Sequence, residues 1–314
     1  MSKNAADYRG IPRDLNTPQI RAVLRAPAKP GEFLVCFRTA GEVTFPGVPG
    51  SVLITGASSG IGAATARRLA GAGFRVFGTT RHPTRLPADA PSIEWIGMDV
   101  RDARAVAAGI DAVLASAQRL DALVCNAGFG IFGSVEEVPL DRARAQFETN
   151  FFGTLATLRA ALPALRMVGS GRLVLVGSLA GRAPIPFQAH YSASKAAIEA
   201  LALALANELR RTRVRVSLVE PGDIRTPFNE RVDFSTADGS SYGDAIEACR
   251  RVVEASLDAA PGPERVADAI HRALTARRPR LRYAVGREAL PVALGRRLLP
   301  DRVSAWLIGR HFGV

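Results

Sequence analysis

From residue 51 onward, short runs of apolar residues alternate with longer stretches of helical period. Val52-Leu53-Ile54 reads as a buried strand that enters a glycine-rich turn and then a helix over about 60–72. Further strands are predicted at 74–79, 93–98, 122–125, 172–176 and 214–219. They are short and mostly apolar, as strands buried on both faces are. Helices are predicted between them at 103–118, 141–168 and 191–209. After Glu220 the chain turns polar and contains Gly and Pro, and two helical patterns follow with a last strand at 281–285 between them. This alternation predicts crossover connections, and therefore an α/β fold in which helices cover both faces of a parallel sheet. Residues 1–49 carry several prolines, two of the three lysines and no sustained period. They are expected to be an extension, partly disordered or loosely packed, ahead of one domain at 50–314.

Composition narrows the function classes. At 314 residues, 47% of them hydrophobic, the chain can bury a sizeable core. No run has the length and uninterrupted apolarity of a membrane span, and residues 1–10 lack the apolar stretch of a secretory leader. Cys36, Cys125 and Cys249 are odd in number and scattered. They suit neither a disulfide framework nor a metal site, so a reducing, cytoplasmic setting without a metal is expected. The net charge of +12 comes almost wholly from scattered arginines, and the denser groups at 210–215 and 277–280 contain no aromatics. A solvated basic surface is expected, with no nucleic-acid partner.

Two local patterns carry chemistry. Thr55-Gly56-Ala57-Ser58-Ser59-Gly60-Ile61-Gly62 follows the first strand and opens a helix. Glycines there permit a tight turn and close approach of a pyrophosphate, while the helix N-terminus supplies N–H groups and a favourable dipole. At the end of the second strand, where a carboxylate would hold the ribose of NAD, the chain has Thr79-Thr80-Arg81. Arg81 suits a 2′-phosphate, so NADP(H) is expected rather than NAD(H). The second pattern is Tyr191-Ser192-Ala193-Ser194-Lys195, which holds the only lysine after residue 29. Four residues apart on a helix, Tyr191 and Lys195 share a face. A compact ammonium beside a phenol favours the phenolate and moves the group toward a working acid or base.

Thr55-Gly56-x3-Gly60-x-Gly62, Asn126-Ala127-Gly128, Ser178, Tyr191-x3-Lys195 and Pro221-Gly222 occur in that order. Together they resemble the short-chain dehydrogenase/reductase family over about residues 50–230, and the tail is similar to its steroid- and retinol-dehydrogenase-like branch. The resemblance implies a Rossmann-type, doubly wound sheet of about seven strands in a single domain. It implies an oxidoreductase acting on CH–OH groups, with Tyr191 as proton donor or acceptor and Ser178 bonded to the substrate oxygen. Lys195 would hold the nicotinamide ribose, and Asn150 would hold a water in a proton relay. The cofactor set implied is Thr55, Gly56, Ser58, Ser59, Gly60, Ile61, Gly62, Arg81, Asp99, Val100, Asn126, Ala127, Gly128, Tyr191, Lys195, Pro221, Gly222 and Thr226.

The apolar and aromatic segments 129–132 and 183–187 suggest a small hydrophobic alcohol or ketone as substrate, with 226–261 as a lid and 281–314 as a substrate-side segment. The amphipathic stretch 292–308 is read as a cover over the cleft in preference to a membrane contact. Two other readings stay open: a reductase of 3-oxoacyl groups on a carrier protein, and a regulator that senses NADP without turnover. The helices at 141–168 and 191–209 resemble those through which the family forms homodimers or homotetramers.

Overall fold

The computed structural model describes residues 20–24, 35–39, 50–84, 92–230, 233–234 and 240–314. The chain forms two units, Met1–Val48 and Pro49–Val314. In the first, β1 (Ile20–Leu24) and β2 (Val35–Thr39) pair antiparallel with Ile20 opposite Thr39. The expectation of a loose extension otherwise lies outside the described residues.

In the second unit, strands and helices follow one another in chain order. These are β3 (Ser51–Ile54), α1 (Gly60–Ala70), β4 (Arg75–Thr80), β5 (Ile93–Gly97), α2 (Ala103–Ala117), β6 (Ala122–Cys125) and β7 (Ile131–Phe132). Next come α3 (Leu140–Phe147), α4 (Gly153–Met167), β8 (Arg172–Val176), α5 (Ala189–Glu208), β9 (Arg215–Pro221), α6 (Pro227–Glu230) and β10 (Asp233–Phe234). The tail holds α7 (Gly243–Asp258), α8 (Glu264–Thr275), β11 (Arg282–Val285), α9 (Ala289–Leu298) and α10 (Asp301–Phe312). Seven strands form one parallel sheet in the order β11-β9-β8-β6-β3-β4-β5. The chain winds outward from β3 to β5, returns to β6 and winds out the other way. The winding order therefore reverses between β3 and β6, where open α/β sheets hold ligands.

The apolar strands follow from a core on each side. Leu53, Leu123, Leu173 and Leu218 point to one face, against Val113, Leu158, Leu165 and Ile198 from α2, α4 and α5. Their neighbours Val52, Ile54, Val124, Val174 and Val219 point to the other, against Ala66 and Leu69 of α1 and Ile270 of α8. Alternation along a strand thus puts an apolar residue toward helices on either side.

The structure departs from the sequence reading in three places. The single helix expected at 141–168 is two helices, α3 and α4, joined by a π-helical turn at Glu148–Phe152. Thr149 and Thr154 hydroxyls donate to the carbonyls of Ala145 (3.1 Å) and Asn150 (2.9 Å) around this wider turn. In the tail, two helices precede β11 and two follow it, where one on each side was expected. Finally, β7 and β10 pair parallel over two residues each, too short to leave a periodic signal.

Candidate active site

The turn after β3 is fixed by backbone contacts from three strands. Gly56 has φ +66°, and a side-chain carbon on it would lie 3.0 Å from the Ala127 Cα. A carbon added to Gly62 would sit 2.2 Å from the Gly56 carbonyl oxygen, so α1 starts closer to the turn than any larger residue allows. The Thr55 hydroxyl accepts from the Asn126 and Ala127 N–H groups (2.9 and 3.0 Å), and Asn126 Nδ2 donates to the Thr55 carbonyl at 3.0 Å. Gly56 N donates to Thr79 Oγ1 of β4 at 3.2 Å. No carboxylate occupies the first turn of α1, which leaves the positive end of its dipole facing the cleft. The turn fits a dinucleotide pyrophosphate. Gly56, Ser58, Ser59, Gly60 and Ile61 line the cleft, whereas Thr55 and Gly62 stand behind it and shape it. Thr226 packs its Cβ 3.4 Å from where a Gly60 side chain would begin.

Beyond the turn, one end of the cleft brings together Arg81, Asp99 and Val100. Arg101, absent from the expected set, grips both Asp99 oxygens, with Nη2 2.6 Å from Oδ2. That guanidinium holds the Asp99 carboxyl below the usual carboxylate range. Its only sequence signal was an arginine two residues after an acid, in a chain full of arginine.

At the other end, Ser178 follows β8 while Tyr191 and Lys195 project from the start of α5. Ser178 Oγ accepts from Ala180 N at 3.1 Å and donates to the Pro221 carbonyl at 3.4 Å. Its side chain also bonds the Tyr191 hydroxyl. Lys195 Nζ donates to the Val176 carbonyl at 3.0 Å and lies 5.7 Å from the Tyr191 ring centre. Burial pushes Tyr191 up to about 12, partly opposed by the Ser178 bond and reinforced by the Asp223 carboxylate. Burial likewise lowers Lys195 to about 8. Asn126, Ala127, Gly128, Pro221 and Gly222 line the stretch between the two ends.

Asn150 lies in the π-turn and is 1% exposed, behind the cleft wall. Its Oδ1 accepts from Phe129 N (3.0 Å), and its Nδ2 donates to the Phe129 carbonyl (3.1 Å) and Ser194 Oγ (3.0 Å). It thereby ties the segment after β6 to α5, one residue before Lys195.

Asp223 and Glu288 also line the cleft and were not anticipated. Nor was a charged network behind Pro221. Arg282 Nη1 pairs with Glu220, which is 1% exposed, and Arg282 Nη2 lies 2.7 Å from Glu199 of α5. Arg282→Met is expected to lower folding stability by about 3 kcal/mol, because it strands a buried carboxylate. Burial already raises the Glu220 pKa above its ordinary value. The loss should therefore shrink in acid, where Glu220 takes a proton, and grow as pH rises. Urea melts of both proteins at acid and neutral pH measure it; equal midpoints would remove the network from any structural role.

The cleft has a volume of about 1790 Å³ and runs from the turn after β3 to the walls formed by α7, α9 and α10. A pocket for one small ligand spans roughly 300–1,000 Å³, so this one has room for a dinucleotide and a substrate together.

Residues 51–235 match the model of the short chain dehydrogenase family. The chain is 33% identical to 3-ketodihydrosphingosine reductase of Bacteroides thetaiotaomicron, over 76% of this chain and 88% of that one. It is 36% identical to human 17-beta-hydroxysteroid dehydrogenase type 1, over 77% of this chain and 79% of that one. A solved short-chain dehydrogenase from Streptomyces avermitilis superposes with a TM-score of 0.72 at 34% identity, covering 83% of this chain and 96% of that one. With this sheet, turn and cleft, the chain belongs to the short-chain dehydrogenase family and is an oxidoreductase that acts on CH–OH groups.

Proposed function

We propose that the chain interconverts a lipophilic ketone and its alcohol with NADP(H), using Ser178, Tyr191 and Lys195. The observation that carries this is the meeting of the three side chains at the end of one cleft whose far wall includes Pro291, Val292 and Ile308. When bound, the nicotinamide supplies or accepts the hydride. Ser178 donates to the substrate oxygen and orients the carbonyl. Tyr191, protonated at neutral pH because burial raises its pKa, delivers the proton to that oxygen as charge develops. Lys195 holds the ribose hydroxyls and steadies the phenolate that remains. Asn150 keeps α5 and the segment after β6 in register for that transfer, and its place beside Ser194 fits a proton path toward Lys195.

The names of the relatives, a ketodihydrosphingosine reductase and a hydroxysteroid dehydrogenase, support a lipophilic substrate. The Tyr191 and Phe228 rings, 5.9 Å between centres, make an aromatic edge to the site and support the reading of 226–261 as a lid. Exposed Phe152 and Met167 on and beside α4 support a homodimer or homotetramer through the α4 and α5 faces.

NADP preference rests on Arg81 at the end of β4. Arg81→Glu is expected to reduce kcat/KM for NADPH by about 10- to 100-fold, the worth of one charge-assisted bond, with NADH little changed. Steady-state rates with both cofactors and a panel of aliphatic, aromatic and steroidal ketones test this. A wild-type preference for NADH would overturn the cofactor assignment, and the absence of turnover with every ketone would overturn the substrate assignment.

A further inference from the structure

The outer face of α9 and α10 takes no part in the chemistry above. Among the described residues, nine of the fourteen exposed large apolar side chains lie from Leu281 to Val314. On α9, Leu290, Leu294 and Leu298 recur every fourth residue and are 67%, 48% and 69% exposed. On α10, Val303 and Trp306 share a face and are 40% and 59% exposed, while Leu307, 43% exposed, stands at the rim of the cleft. The inner faces are different: Val292, Gly295, Ser304 and Ile308 line the cleft, and Phe312 packs on Phe132, Ile246 and Cys249. These helices therefore have two apolar sides, one half-buried along the cleft and the other exposed.

Charge decides what fits the uncovered side. Residues 287–314 contain five arginines against two acidic side chains, and both of those, Glu288 and Asp301, line the cleft. Arg310 lies over the Trp306 ring, 5.5 Å from its centre. Apolar stripes flanked by arginine, with a tryptophan between the two, match the boundary between lipid headgroups and acyl chains. A second copy docked on the same face would bring arginine against arginine. No helix among the described residues is long and apolar enough to cross a membrane, so the contact would be with one leaflet.

We infer that α9 and α10 dock the protein onto an anionic lipid surface, with Leu290, Leu294, Leu298 and Trp306 entering the leaflet and Arg297, Arg302 and Arg310 meeting its phosphates. The cleft then opens beside the bilayer, where a lipophilic substrate concentrates. That last advantage rests on the substrate reading above; the docking itself does not.

The test is sedimentation of the full-length protein with vesicles of phosphatidylcholine alone and of phosphatidylcholine mixed with phosphatidylglycerol, at low and high salt. Wild type should bind the mixed vesicles at least about tenfold more tightly, with salt weakening the binding. Leu294→Glu with Trp306→Glu, and separately Arg302→Glu with Arg310→Glu, should each lower vesicle affinity by about tenfold or more. Neither pair lines the cleft, so turnover of a water-soluble ketone should stay within about twofold of wild type. Failure of wild type to sediment with either vesicle would overturn the inference. So would a wild-type dimer, seen by light scattering, that Leu294→Glu with Trp306→Glu converts to a monomer, because the face would then belong to a second copy. If vesicles bind as described but no ketone is turned over, the substrate reading fails and the docking surface stands.

Discussion

Tyr191→Phe should lower kcat by about 100- to 10,000-fold, the range that a positioned acid or base contributes, with cofactor affinity within about twofold of wild type. The variant removes one oxygen. Its ring can keep its place 5.9 Å from Phe228, and Lys195 keeps its bond to the Val176 carbonyl. Ser178 loses the hydroxyl that it bonds in the cleft, but it retains Ala180 N and the Pro221 carbonyl as partners. The loss should thus fall on the chemical step and spare both binding and fold. Comparing kcat with a fluorescence titration of NADPH separates the two effects. A variant retaining more than about a tenth of the wild-type kcat would mean that the proton comes from another group. Asp223 would be the first candidate, since it lines the same cleft and burial raises its pKa.

Much of this architecture could be read from local sequence because local physics dictates it. Val52-Leu53-Ile54 and the strands like it have apolar side chains pointing both ways, which only a sheet covered on both faces accommodates. The glycines at 56, 60 and 62 announce a turn pressed against another backbone, and Gly62 proves to touch the Gly56 carbonyl. Three kinds of feature were not legible. The π-turn at Glu148–Phe152 widens a helix by a fraction of a residue per turn, which a pattern of period near four does not register. The Glu220–Arg282–Glu199 network joins residues 62 and 83 positions apart, and no local spacing marks such a meeting. Thr55 and Gly62 carry the turn's signature yet stand behind the cleft: a motif records what the loop needs in order to form as well as what touches the ligand.

Lys195→Met should weaken NADPH binding by about 10- to 100-fold, the worth of a hydrogen bond from a charged group, and should also remove one limb of the pH profile. Burial lowers the Lys195 pKa from 10.5 to about 8, so in the free enzyme the ammonium is present below pH 8 and lost above it. Tyr191, pushed up to about 12, stays protonated throughout this window. In the proposed mechanism, reduction needs the phenol and the ammonium together. In wild type, kcat/KM for NADPH, which reports groups of the free enzyme, should be flat through neutral pH and fall above about 8 as the lysine discharges. In Lys195→Met the remaining activity should lack that fall until the tyrosine itself ionises. Alcohol oxidation has the opposite sign: it needs the phenolate as base, so its rate should climb with pH in both proteins, and start lower in the variant, where no ammonium favours the anion. If the falling limb near pH 8 survives in Lys195→Met, the group responsible is not the lysine, and burial of Lys195 would then matter for the packing of α5 rather than for catalysis.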